Sequence, residues 1–427
     1  MNDRQTAFRV LNRIERNNAY SNLALDAELR QNQGETVSAP FVTALVYGVL
    51  ERKITLDYIL SAFLTKPIKK LRPEVLTALR MGVYQLQFMD KVPISAAVNE
   101  SVKLVKNNGC AYAAGLVNSV LRKVANAVVI YPDKTDFIKY LSIRYSCPTS
   151  LVQHYIKDYG EENAEGILSS SLGAVPTVLR VNTLKTDAAH LKTALAEEGF
   201  PAELGQTENT LVIKNGGAIE QSKAYQNGLF HVQDTASALC VQALDAKPGQ
   251  RVIDVCAAPG GKTFTLAQMM ENQGEILAFD LHAHRVRLIE TGAARLGLSI
   301  VKASVQDASV FVPTLENTAD RVLCDVPCSG LGTIRRKPEI RYKDLAFIDN
   351  LTHLQYNILV HASKYLKSGG VLVYSTCTLN RAENDAVCDR FLQENPDFEK
   401  LEAYITLLPH KDGTDGFFFA RLGRKAQ

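Results

Sequence analysis

Five short apolar runs recur along the C-terminal part of the chain: Arg251–Val255, Ile276–Asp280, Ile300–Ser304, Arg321–Asp325 and Val371–Ser375. Helical stretches separate most of them. Strands that alternate with helices predict a parallel sheet with helices on both faces, which places an α/β domain over residues 246–427. In such a sheet, ligands bind outside the carboxyl ends of the strands, so the residues that end each run are the first candidates for function.

The 427 residues suggest about three domains at roughly 150 residues each. Residues 1–140 read as helical. Ala7, Val10, Leu11 and Ile14 form one apolar stripe, and further helical patterns cover about 40–64, 73–90, 95–107 and 111–127. Pro67, Pro73 and Pro93 lie at the breaks, and Asn108-Gly109 is a turn signal. An all-α bundle is therefore expected there. Residues 141–245 mix short β-rich runs (Thr177–Val181, Thr210–Ile213, Leu229–Val232) with helical patterns at 149–170 and 187–198, a small α+β module.

At the first strand-to-helix turn the chain reads Asp254-Val255-Cys256-Ala257-Ala258-Pro259-Gly260-Gly261-Lys262-Thr263. Small residues let a ligand approach the backbone, and the helix that follows offers free N–H groups and the positive end of its dipole. Gly261-Lys262-Thr263 fits the end of a P-loop, but Cys256 stands where its first glycine belongs, and no G-x-G-x-x-G fingerprint is present. The second run ends in Asp280, 26 residues after Asp254, where a carboxylate can accept hydrogen bonds from a ribose diol. A ligand with a ribose but no pyrophosphate fits both features, and S-adenosylmethionine is such a ligand. The fold expected is Rossmann-like.

Of the eight cysteines, Cys328 and Cys377 follow the ends of the fourth and fifth runs, in Asp325-Val326-Pro327-Cys328-Ser329-Gly330 and Ser375-Thr376-Cys377-Thr378. A thiol on that rim is accessible and can be activated, whereas a core thiol is inert. Cys147, Cys240 and Cys388 have no such context and read as core, and Cys256 receives no chemistry. The cysteine spacing supports neither a zinc ribbon nor a disulfide scaffold, so no metal is expected.

The cysteine motifs, together with Cys256–Thr263, resemble those of the RNA cytosine-5 methyltransferases, and most closely the bacterial 16S ribosomal RNA methyltransferase B family (Sun or Fmu). The helical region is similar to the antitermination factor NusB, and Leu179–Leu184 and Gly228–Asp234 are similar to stretches that precede the catalytic domain of these enzymes. The resemblance implies a methyltransferase that forms a covalent bond between a cysteine and cytosine C6. The residues alone do not choose between the two cysteines; the resemblance makes Cys377 the nucleophile and Cys328 the helper in product release. Asp325 would bond the cytosine at N3 or N4. S-adenosylmethionine would meet Asp254, Val255, Cys256, Ala257, Ala258, Pro259, Gly260 and Lys262 at the turn. Asp280 would hold its ribose and Asp307 its adenine, with Asp325 near the methyl end. Arg285 is a cofactor or RNA contact, or a surface ion-pair residue.

Composition bounds the partners. The apolar share is 46%, and no stretch of 18 apolar residues exists, so a membrane span is not expected. The N-terminus lacks the pattern of a secretory signal, and a cytosolic monomer is expected. Residues 1–140 hold 19 Lys and Arg against 12 Asp and Glu, leaving 29 against 33 for the rest. This asymmetry fits a nucleic-acid partner or a solvated basic surface, and Lys66-Pro67-Ile68-Lys69-Lys70-Leu71-Arg72 concentrates it. Arg335, Arg336 and Lys337 are candidates to grip phosphates near the target base or a solvated charge run. The partner implied is 16S ribosomal RNA. A transfer RNA cytosine-5 methyltransferase and a non-catalytic RNA-binding or antitermination protein are the competing readings.

Overall fold

The computed structural model describes residues 2–17, 21–31, 37–214 and 218–426. The chain forms two compact units: residues 1–173 with 334–343, and residues 174–333 with 344–427.

In the second unit, β1 (Thr177–Val181), β2 (Glu203–Leu204), β3 (Thr210–Ile213) and β4 (Phe230–Val232) make an antiparallel sheet in the order β2-β3-β1-β4. Asp187 caps the helix Ala188–Glu197 through the His190 N–H at 2.9 Å. That helix buries Leu191 and Leu195 in one cluster with Leu179, Leu211 and Phe230.

The larger sheet contains β5 (Arg251–Asp254), β6 (Glu275–Asp280), β7 (Val301–Val305), β8 (Ala319–Asp325), β9 (Leu366–Thr376), β10 (Phe398–Lys400), β11 (Ile405–Leu407) and β12 (Phe417–Arg424). Its order is β10-β12-β9-β8-β5-β6-β7, with β11 also paired to β12. Strands β5 to β9 are parallel to their neighbours among them, as the five apolar runs predict. The sheet is mixed rather than parallel throughout, because β12 runs antiparallel to β9. Alternate side chains serve two cores: Val252, Leu323 and Val373 pack on one face, and Ile253, Val322 and Leu372 on the other. Register pairs Asp254 with Ala278 in β6 and Asp325 with Ser375 in β9, so the parallel strands end on a common rim.

The first unit is helical. Its helices include Asp3–Asn17, Ala39–Glu51, Lys53–Ser61, Pro73–Phe88, Ile94–Asn107, Ala114–Ala125, Phe137–Arg144 and Thr149–Ser170. Ala7, Val10, Leu11 and Ile14 are buried, as the stripe requires. The pattern expected over 40–64 is two helices, split at Arg52 where φ is −110° and ψ 16°. Pro73 starts one helix and Pro93 precedes another.

Residues 334–343 complete this helical unit from far along the chain. Arg341 is 1% exposed. Its guanidinium donates to the carbonyls of Glu51 (3.0 Å), Tyr145 (3.2 Å) and Ser171 (3.0 Å). Glu51 ends one helix and Ser171 caps another, so one cation satisfies orphan carbonyls at two negative helix ends. The Tyr342 hydroxyl donates to the Leu50 carbonyl at 2.7 Å, and the Glu339 carboxylate accepts from the Ser21 hydroxyl at 2.8 Å. The Arg335-Arg336-Lys337 run lies in this segment, with Arg335 and Arg336 half-buried and Lys337 exposed.

Replacing Arg341 by Met removes this donor from the carbonyls of Glu51, Tyr145 and Ser171, and from the longer contacts to Ser146 and Ile334. The expected cost is about 2–4 kcal/mol of stability, read as a lower urea midpoint; an unchanged midpoint would show that the segment does not hold the unit together.

Candidate active site

Strand β5 ends at Asp254, and the chain then turns through Pro259 to Gly260, whose φ is +109° and which precedes the helix Gly261–Met269. A Cβ at Gly260 would lie 2.3 Å from the Phe264 ring, so both conformation and space require glycine. The Thr263 hydroxyl donates to Asp254 Oδ2 at 2.7 Å, while Oδ1 is buried with no hydrogen-bond partner among the described residues. Burial, with the Asp325 charge adding to it, pushes the Asp254 carboxyl up to about 7. A cavity of about 200 Å³ opens here, lined by Asp254, Cys256, Ala257, Pro259, Lys262 and Asp325 among others. Gln233 and Asp234 also line it. Gln233 ties the smaller sheet to the turn by donating to the Gly261 carbonyl at 3.0 Å and accepting from the Thr265 hydroxyl at 2.9 Å.

Asp280 ends β6 and is 4% exposed. Arg285 pairs with its Oδ2 at 3.1 Å and donates to the Ala258 carbonyl at 2.8 Å. Arg285 thus fastens the end of β6 to the ligand turn. Asp307 is exposed beyond β7, and its Oδ1 accepts from the Ser309 hydroxyl and N–H, which hold its carboxyl below the usual range.

Cys328 and Cys377 meet with their sulfurs 3.3 Å apart. Their loops approach through glycine: Gly332 N–H donates to the Cys377 carbonyl at 3.0 Å, and Gly416 N–H to the Gly332 carbonyl at 2.9 Å. A Cβ at Gly332 would stand 1.9 Å from the Gly416 oxygen. The hydrogen bond to Cys377, then burial, holds the Cys328 thiol well above its ordinary range. Burial among Asp254, Asp325 and Asp280 does the same to Cys256, which suits a thiol without chemistry. Cys147, Cys240 and Cys388 are buried, as expected.

Asp325 stands beside this pair. Its Oδ1 accepts from the Ser375 hydroxyl and its Oδ2 from the Lys262 ammonium, both at 2.7 Å. Burial opposes the charge on Lys262, but the Asp325 carboxylate outweighs it and raises the ammonium above its usual range. The rim thus carries two sulfurs, a carboxylate and an ammonium, and the cavity is lined by Asp325 and Lys262 but by neither Cys328 nor Cys377. A sulfur nucleophile placed so can add to an electrophilic carbon held near Asp325. Sequence reasoning gave no role to Gln233, although it directly follows β4, or to the buried Glu383, which lies in a polar stretch seven residues past the end of β9.

The raised Asp254 carboxyl is a stability statement. Its folded value of about 7 exceeds the unfolded 3.8, so the folded state binds the proton more tightly. Stability should fall as pH rises from about 4 to about 7, by up to roughly 4 kcal/mol from this group. Asp254→Asn should flatten that part of the curve in urea titrations, and an unchanged slope would place the proton elsewhere.

Comparison with known proteins agrees with this geometry. Residues 241–423 match the family model for the 16S rRNA methyltransferase RsmB/F, residues 1–126 that of the NusB family, and residues 147–220 that of the ferredoxin-like domain of RsmF/B-like methyltransferases. The probable ribosomal RNA small subunit methyltransferase B of Bacillus subtilis is 40% identical over 99% of this chain and 98% of its own length. The protein so described in Synechocystis is 36% identical over 98% of both. Among solved structures, PH0851 superposes with a TM-score of 0.82 at 28% identity over 98% of each chain. NSun6 from Pyrococcus horikoshii, solved with SFG, gives 0.59 at 25% identity over 66% of this chain and 99% of its own. With the same three segments in the same order, this chain belongs to the RsmB/F family of S-adenosylmethionine-dependent ribosomal RNA methyltransferases.

Proposed function

We propose that the protein methylates C5 of a cytosine in 16S ribosomal RNA, through a transient bond between Cys377 and C6 of the base. The observation that carries the reading is the pair of sulfurs 3.3 Å apart on the rim that also holds Asp325. The cofactor site fits S-adenosylmethionine on two counts. The unpartnered, buried Asp254 Oδ1 suits its ammonium group, and the cavity lies against the turn. Asp254 and residues 255–260 with Lys262 would hold its amino-acid end, Asp280 its ribose and Asp307 its adenine.

The target base leaves its stack to enter the site. Asp325 accepts a hydrogen bond from the exocyclic amino group and orients the ring, with Lys262 fixing the carboxylate. The Cys377 thiolate adds to C6, and the electrons of the C5–C6 double bond move toward C5, which becomes nucleophilic. S-adenosylmethionine supplies the electrophilic methyl that C5 takes. Once its sulfur is bonded to carbon, Cys377 no longer adds to the upward shift of the Cys328 thiol, of which burial is then the main remaining cause. Cys328 can then lose its proton to solvent and accept the proton from C5. Cleavage of the S–C6 bond restores the double bond and returns the Cys377 thiolate.

The basic loop around Lys66, Lys69, Lys70 and Arg72 is exposed and would contact phosphates. The relatives' names point to ribosomal rather than transfer RNA.

Cys377→Ala should abolish methylation, and Cys328→Ala should accumulate an enzyme–RNA adduct on a denaturing gel; the reverse pattern would exchange the two roles. Neutralising Lys66, Lys69, Lys70 and Arg72 to Gln in the full chain should weaken RNA binding. Its salt slope should drop by about 0.7–0.9 for each phosphate that the loop no longer neutralises. A slope equal to the wild type would remove this loop from the RNA interface.

A further inference from the structure

Beneath the two cysteine loops lies a polar pair that no step above uses. Glu383 is 0% exposed. Its Oε1 accepts from the Ser329 hydroxyl at 2.5 Å and the Asn380 amide at 3.0 Å. Its Oε2 accepts from the Ser329 N–H at 2.8 Å and the Gln355 amide at 2.9 Å. Ser329 is the residue after Cys328, and its hydroxyl also meets the Thr378 hydroxyl, 2.7 Å away on the Cys377 loop. The same Gln355 amide donates to the Pro327 carbonyl at 2.9 Å, so both neighbours of Cys328 reach Glu383 directly or through one side chain. Asn384, also fully buried, clamps the other loop: it accepts from the Thr376 hydroxyl at 2.6 Å and donates to the Thr378 carbonyl at 3.0 Å, on either side of Cys377. The Tyr374 hydroxyl, near the end of β9, donates to the Glu383 carbonyl at 2.6 Å.

We infer that Glu383 is a positioning residue, which with Asn384 braces the two cysteine loops and fixes the separation of their sulfurs for the covalent step. The inference rests on the cysteine chemistry proposed above. A buried carboxylate is costly unless its lone pairs are filled, and a well-packed apolar side chain would stabilise the fold at least as well. What the carboxylate adds is geometry: four donors from three segments converge on one planar group. Three of those donors belong to residues that flank or support Cys328, and the adjacent Asn384 fixes both flanks of Cys377. A misplacement of about 1 Å between reacting groups is enough to slow a reaction on the order of a hundredfold.

Glu383→Gln keeps the shape but turns two acceptor positions into a donor. Turned toward Oε2 its NH₂ faces two N–H donors, those of Ser329 and Gln355; turned toward Oε1 it still faces the Asn380 amide donor. The test is single-turnover adduct formation with RNA carrying 5-fluorocytosine at the target, where fluorine on C5 prevents release. The rate should fall about ten- to a hundredfold, while KM for RNA and for S-adenosylmethionine stays within about twofold. Ser329→Ala should slow the same step, and the double variant should be no slower than Glu383→Gln alone, because both remove one brace. A wild-type rate in Glu383→Gln, or rate losses that add fully in the double variant, would overturn the brace. If Glu383→Gln does not fold, Ser329→Ala decides: a slowed step at unchanged melting temperature supports the brace, and an unchanged rate overturns it. Absence of any adduct with the wild-type enzyme would instead overturn the covalent reading itself, and the brace with it.

Discussion

The contact between Lys262 and Asp325 organises the catalytic face. A largely buried ion pair is costly unless its geometry is good and its remaining hydrogen-bonding capacity is filled. Here the ammonium meets one carboxylate oxygen, the Ser375 hydroxyl fills the other, and the Phe417 ring lies 5.1 Å from the ammonium. Lys262 comes from the ligand turn after β5, Asp325 from the end of β8 and Ser375 from β9. One electrostatic knot therefore ties three parallel strands at their carboxyl ends. Asp254 stands at the same end with the opposite problem: its carboxyl is buried, one oxygen has no partner, and it is held partly neutral until a cation arrives.

Around this knot the fold uses close backbone contact where side chains would intrude. Gly332 and Gly416 let the two cysteine loops touch main chain to main chain, which leaves the sulfurs as the projecting groups. The smaller sheet contributes as well, because Gln233, just past β4, reaches the first turn of the helix that follows the ligand loop. The cavity is thus built from two sheets of one unit rather than from the large sheet alone.

Much of this was legible in the residues. The five apolar runs became β5 to β9 with shifts of up to five positions; buried strands such as β5 leave a nearly uninterrupted apolar signature, while the edge strand β7 is largely exposed. The rim candidates Asp254, Lys262, Asp325, Cys328 and Cys377 gathered because each follows such a strand. The antiparallel β12 was not foreseen: Phe417-Phe418-Phe419 offers neither alternation nor a following helix by which to place it. Glu383 was equally silent. A buried carboxylate in Asn380-Arg381-Ala382-Glu383-Asn384 looks like a polar loop until the donors of Ser329 and Gln355, 54 and 28 residues away, come together on it in space. The role of Arg341 was hidden for the same reason, since its partners lie as far as 290 residues upstream.

That last distance bears on how the chain is born. The helical unit is the first to be synthesised, yet the guanidinium that satisfies the carbonyls of Glu51, Tyr145 and Ser171 is made only after β1 to β8 have been translated. The emerging bundle must wait, with those helix ends bound by water, while most of its neighbour is polymerised. Folding of this protein cannot run strictly from one end to the other: the earliest module is finished by a late one, while β9 to β12 and Cys377 are still to be translated.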